Sequence, residues 1–259
     1  VFQLILWLPE YILDGILLTA YGEKILQPKI SRLPPWGLRV VFGSAVFLLS
    51  VLLELSKQSL SGGIFDLFSI REAVFAVLAF LLTIAFFKKE LGKQIFLVCS
   101  FLAVREICSY FAFGVMRLFS EVFAWFTASR LRAGWMPTAA EAERYFALVE
   151  MIQHLFSFLL YAAVFALTIR IMAQNLPPTR LRRQDFTFLI LPCLVCVAIV
   201  QILNALLQYN NDVTDVMLQT VLFNLHVPVI GLLLLLMLIA SVKMYREVSM
   251  RHMEKARIQ

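Results

Sequence analysis

Apolar residues run along this chain in seven long stretches, separated by short segments rich in basic, glycine or proline residues. Each stretch approaches or exceeds the roughly 20 residues needed to cross a bilayer as a helix. The first covers residues 2–21, with Gly22 as its expected stop. The second covers residues 38–55 and follows Pro34-Pro35-Trp36-Gly37. The third covers residues 70–87. It opens on Ser69-Ile70-Arg71-Glu72, a capping box in which Ser and Glu side chains satisfy orphan backbone amides. The fourth covers residues 94–118. A second capping box, Thr138-Ala139-Ala140-Glu141, opens the fifth, which runs to Gln174. This is longer than a bilayer requires, so its first turns are expected to project beyond it. The sixth covers residues 185–207, and the seventh begins near Thr214. The expected fold class is an all-α polytopic membrane protein, a bundle of about seven transmembrane helices.

The last stretch changes character without a break. Leu232 to Ala240 contains no polar residue, and no Gly or Pro follows Gly231. Lys243, Arg246, Glu247, Arg251, His252, Glu254, Lys255 and Arg257 then continue in a segment of good helix formers. The domain organisation expected is a bundle over residues 1–242, and over residues 243–259 the start of a cytoplasmic signalling or dimerisation helix, cut short. A seam is faintly visible at Val242, Tyr245, Ser249, His252 and Ala256.

Charge sets the orientation. Taking the ends of the stretches alternately, 16 of the 23 Lys and Arg fall on one side. They lie at Lys24–Arg39, Lys88–Lys93, Arg170–Arg183 and from Lys243 onward. Basic loops stay cytoplasmic, which places the N-terminus outside and the C-terminus inside. The expected location is therefore a plasma membrane, crossed several times.

Composition agrees: 61% of residues are hydrophobic and 15% charged, with mean hydropathy +0.84. Soluble domains hold about 45–50% apolar and about 25% charged residues. The net charge of +6 follows the loops rather than a nucleic-acid-binding face, and no nucleic acid is expected. Cys99, Cys108, Cys193 and Cys196 all lie in apolar stretches, where they read as small buried side chains. The three histidines lack the spacing of a metalloprotease, and no Gly-x-Ser-x-Gly, Walker or dinucleotide-binding pattern occurs. No catalytic residue, metal or cofactor is assigned.

Ionisable groups within spans are the functional suspects, because hydrocarbon solvates them poorly. Glu10 and Asp14 share one face of the first helix, and Arg105 and Glu106 lie in the fourth. Counted from the same membrane side, Glu10 and Arg105 sit at equal depth. An ion pair of Arg105 with Glu10 or Asp14 is expected, as a switchable latch or a static register pin. Gln201, Asn204 and Gln208 line one side of the sixth helix. Asn224, His226 and Pro228 lie in the seventh, where Pro228 is expected to kink the helix. These amides suit interhelical hydrogen bonds or a ligand. Residues 119–140 carry Trp125 and Trp135 beside arginines. They suit a receptor surface or an amphipathic helix resting on the bilayer.

Three features together resemble the N-terminal sensor of bacterial histidine kinases with a GHKL-type ATPase domain, the group that includes peptide-pheromone receptors. They are Leu189-Ile190-Leu191-Pro192 in the penultimate span, the boundary Lys243-Met244-Tyr245-Arg246, and the charged helix leading out. The resemblance implies an input domain that detects an extracellular or membrane-borne ligand, such as a peptide, and relays it through the last helix. It also implies a homodimer through that helix, a kinase region after it and a response regulator as partner. The family's phosphoacceptor stands in an Arg-His-Asp motif. Arg251-His252 is followed here by Met253-Glu254, so the resemblance assigns no phosphoacceptor within the chain. Two other readings are a solute transporter or channel lined by Glu10, Asp14, Arg105, Gln201 and Asn204, and a non-catalytic subunit whose basic tail docks a partner.

Overall fold

A computed structural model of the chain describes residues 2–29, 34–60, 70–134, 137–176, 183–211 and 217–258. Among them are seven helices: α1 (Phe2–Ile25), α2 (Pro35–Leu60), α3 (Ile70–Phe86), α4 (Leu91–Arg132), α5 (Ala139–Asn175), α6 (Arg183–Asn211) and α7 (Met217–Ile258). No strand occurs among the described residues.

Local chemistry explains several of these bounds. Pro35 opens α2, where its missing N–H is not needed. Thr138 and Glu141 form the expected capping box of α5: Thr138 Oγ1 accepts from Glu141 N at 3.4 Å, and Thr138 N donates to Glu141 Oε2 at 2.9 Å. The box at Ser69 lies outside the described residues. Two expectations are corrected. Gly22 does not end α1, because the ring of Phe87 packs against it; a Cβ there would stand 3.0 Å from Phe87 Cζ. Helix α4 does not stop at Leu118 but runs 42 residues to Arg132, with no proline or capping residue to end it sooner.

The interior and exterior are arranged as a bilayer requires. Asp14, Thr83, Gln94, Ser100 and Thr168 are buried, whereas Leu48, Leu81, Leu159, Leu194, Leu233 and Leu236 face outward. Water would penalise such a leucine surface, and hydrocarbon does not. Three helical segments among the described residues are long and apolar enough to cross a membrane, at Leu91–Arg132, Ala139–Asn175 and Leu225–Arg251. Shorter apolar helical segments lie at Trp36–Leu52, Ala73–Phe86 and Phe188–Asn204.

Helix α4 is the axis of the bundle and packs against α1, α3, α5, α6 and α7. It is buried on nearly every side from Lys93 to Gly114, a length of about 33 Å that matches a hydrocarbon core of about 30 Å. Beyond Gly114 its burial falls away, with Thr127 alone classed as buried. Gly134, at φ 92°, supplies the left-handed residue just past the end of α4. Helix α5 then returns antiparallel. Phe119 stacks on Phe156 at 5.6 Å, Phe123 meets Tyr145 at 5.8 Å, and Thr127 Oγ1 shares a 3.4 Å hydrogen bond with the Tyr145 hydroxyl. Residues 119–132 are thus one arm of a helical hairpin that extends past the bundle, not a separate segment lying on the bilayer.

Glycine sets two close helix crossings. Helix α7 reaches α4 where a Cβ on Gly114 would lie 2.6 Å from Val227 Cγ1 and 2.7 Å from Pro228 N. The described helix continues through Pro228 to Ile258. At the α1–α2 crossing, a Cβ on Gly15 would lie 2.5 Å from the Gly43 carbonyl oxygen, whereas one on Gly43 would meet nothing closer than Thr19 Oγ1 at 3.4 Å. The two glycines should therefore respond oppositely to alanine. Gly43→Ala gains helix propensity and should stabilise by up to about 1 kcal/mol. Gly15→Ala must push backbones apart and should destabilise by roughly 1–3 kcal/mol. Denaturant unfolding of the purified variants in detergent measures both, and equal effects at the two sites would refute this asymmetry.

Candidate functional site

About 21 Å along α4 from its start, Arg105 places a guanidinium inside the bundle, with its side chain 13% exposed. A charge at this depth needs partners, and they come from four other helices. Asp14 of α1, 5% exposed, holds Oδ2 at 3.6 Å from Arg105 Nη1. Tyr161 of α5 donates its hydroxyl to Asp14 Oδ1 at 3.2 Å. Arg105 Nη2 donates to Glu106 Oε1 at 3.2 Å, and Gln201 Nε2 of α6 donates to Glu106 Oε2 at 3.2 Å. The guanidinium carbon lies 4.8 Å from the centre of the Phe75 ring of α3. Glu10 stands half-buried one turn before Asp14, within electrostatic reach of both Asp14 and Arg105.

The chemistry of this hub is that of a polar clasp. It joins α1, α3, α4, α5 and α6 through charged and aromatic contacts. Among the described residues, no group of three His, Cys, Asp or Glu side chains is placed to hold a metal. Cys108, Cys193 and Cys196 are buried free thiols, and Cys193 Sγ donates to Leu189 O at 3.2 Å. Next to the hub an open apolar groove of about 410 Å³ runs between α1 and α5, lined by Leu8, Pro9, Ile12, Leu13, Ile16 and Phe158.

The expected site residues are thus partly united. Glu10, Asp14, Arg105, Glu106 and Gln201 meet in the hub. Asn204 is half-buried one turn beyond Gln201 on α6. Pro228 is buried at the α4–α7 contact, whereas His226 faces outward from α7. Trp125 stands 64% exposed on the hairpin, with Arg130 stacked over neighbouring Phe126 at 5.2 Å. Trp135 and the side chains of Asn224 and Gln208 lie outside the described residues. Sequence reasoning passed over Tyr161 and Phe75. Tyr161 had one available signal: a hydroxyl within the apolar run of α5 must find a partner.

On the hairpin, two hydrogen bonds from Thr138 to the carboxylate hold Glu141 below the usual carboxylate range. A depressed folded-state value stabilises the N-terminus of α5 above pH 4.5, and that contribution is lost as pH falls below it. Protection factors for amide exchange at residues 141–144, corrected for the intrinsic rate at each pH, should therefore fall on acidification. Thr138→Ala should lower these protection factors and remove their pH dependence, costing about 1 kcal/mol of helix stability. A hub substitution has a larger expected effect. Arg105→Leu leaves Asp14 buried against an apolar side chain and should destabilise by about 3–5 kcal/mol. Tyr161→Phe should cost only about 1 kcal/mol. Thermal unfolding in detergent ranks the two, and a smaller loss for Arg105→Leu than for Tyr161→Phe would refute the hub's geometry. Compared with family models, curated proteins and solved structures, the chain matches none.

Proposed function

We propose that the chain is the membrane-embedded input domain of a two-component sensor histidine kinase. In this reading all seven helices span a bacterial plasma membrane, with the N-terminus outside and the C-terminus in the cytoplasm. Residues 1–242 form the sensing bundle, and residues 243–258 of α7 begin the cytoplasmic signalling helix. A ligand seats in the α1–α5 groove or on the α4–α5 hairpin, both of which bear on helices of the Arg105 hub.

One observation carries the reading: α7 is a single described helix of 42 residues that packs on α4 at Val227 and Pro228 and leaves the bundle charged. Gly114 and Gly231 bring α4 and α7 into backbone contact, the latter beneath Phe111, so movement of the hub helix moves α7. Where α7 leaves the bundle, Val242 and Tyr245 are buried, and Arg246 Nη1 donates to Asn175 Oδ1 of α5 at 3.2 Å. The first two positions of the expected seam thus pack within the chain, and the dimer contact belongs to Ser249 and beyond.

A chimera with a constitutively dimeric histidine kinase core fused after Gln259 tests the proposal. Asp14→Asn and Arg105→Gln weaken the clasp from either side and should each shift autophosphorylation severalfold while leaving membrane insertion unchanged. Kinase output identical to that of the parent in both inserted variants would refute the sensor reading. Solute flux through vesicles holding the chain would instead favour a transporter.

A further inference from the structure

The loop after α1 and the turn between α3 and α4 are stitched together. Lys29 N donates to Phe86 O at 2.9 Å, and Lys88 N donates to Gln27 O at 2.8 Å, about an antiparallel bridge of Pro28 with Phe87. Phe87 points inward, fully buried against Gly22 and 5.4 Å from the Phe42 ring. Lys29 and Lys88 flank this bridge and are both exposed, and the Lys88 ammonium donates to Gln27 Oε1 at 2.9 Å. Lys24 and Lys89 are exposed beside them. The acidic residues nearest this cluster are already engaged: Glu23 with Arg39 at 2.9 Å and Glu90 with Lys93 at 2.8 Å. Two apolar side chains stand exposed at the same end, Trp36 at 69% and Leu91 at 54%. A tryptophan and lysines side by side at the end of membrane helices are the chemistry of the headgroup layer.

We propose that this stitched double loop is a binding site for the headgroup of an anionic phospholipid in the adjoining leaflet. Lys24, Lys29, Lys88 and Lys89 hold the phosphate and its neighbouring charge, and Trp36 and Leu91 meet the upper part of the acyl chains. The bridge matters because it holds two cationic segments from distant parts of the chain side by side before any lipid arrives. The site needs the chain to lie in a membrane and does not depend on what the bundle senses.

The test is lipid retention by the whole purified chain in mixed micelles of phosphatidylcholine and phosphatidylglycerol, read by native mass spectrometry. The parent should retain phosphatidylglycerol in preference to phosphatidylcholine. That preference should fall about fivefold for each lysine removed. The pairs Lys24→Gln/Lys29→Gln and Lys88→Gln/Lys89→Gln should each lose part of it, and the four together should abolish it. The same four positions changed to arginine should keep it, which separates charge loss from misfolding. Arg130→Gln/Arg132→Gln/Arg144→Gln, at the far end of the hairpin, should leave it intact. A preference unchanged in the four-lysine variant, or lost equally in the hairpin variant, would overturn the site. Displacement of the lipid by millimolar inorganic phosphate would also overturn it, by showing a site for free anions instead.

Discussion

Arg105 is the constraint to which the rest of the bundle answers. A guanidinium at bilayer depth is stable only if charged and polar groups replace its lost water. Here they arrive from separate helices, Asp14 from α1 and Gln201 from α6 through Glu106, with the Phe75 ring of α3 across one face. Each partner has a narrow range of positions that satisfies the contact. Sliding α1 by one turn would carry Asp14 about 5.4 Å away and replace it with Glu10 or Leu18. The hub therefore fixes the axial register of four helices that leucine contacts alone would leave free to slip.

Packing in hydrocarbon supplies the rest. Between leucine surfaces and lipid tails there is little hydrophobic preference, so helices associate where backbones fit closely. Gly15 against Gly43, Gly114 against Pro228 and Gly231 against Phe111 provide such fits on both sides of the hub. Larger side chains fill the level below, where Phe42 meets Phe86 and Phe87 edge-on and Tyr21 shares a 3.0 Å hydrogen bond with Ser100. The polar clasp selects the register, and the glycine and aromatic contacts make it tight.

Much of this was legible in the sequence because the signals are local or additive. Long apolar runs predicted helices, Thr138 and Glu141 predicted the start of α5, and counting residues from one membrane side predicted that α1 and α4 carboxylate and guanidinium groups would meet. The pairing partner resolved to Asp14 through a direct contact, with Glu10 held one turn away. What was not legible depended on partners distant in sequence. Gly22 reads as a stop until Phe87 is seen to occupy it. Residues 119–132 read as a surface segment because their tryptophan and arginines break the apolar pattern, yet pairing with α5 keeps them helical. Tyr161 was hidden among apolar neighbours, and only the fold reveals that it faces Asp14.

In the proposed sensor, the placement of the hub also decides how movement is transmitted. Helix α7 packs against α4, α5 and α6, most closely against α4 at Gly114 and Gly231, and Arg246 bonds to the end of α5. In that reading, a rearrangement of the clasp reaches α7 as a displacement of the helices packed on it. Close backbone packing has little slack, because a contact without intervening side chains cannot be absorbed by a rotamer change. A shift of α4 relative to α5 must then either carry α7 with it or break the bond from Arg246 to the end of α5. Both outcomes alter the angle at which the charged end of α7 leaves the bundle. A long outgoing helix turns such a small angular change into a large lateral one, since its 16 residues beyond Val242 extend about 24 Å.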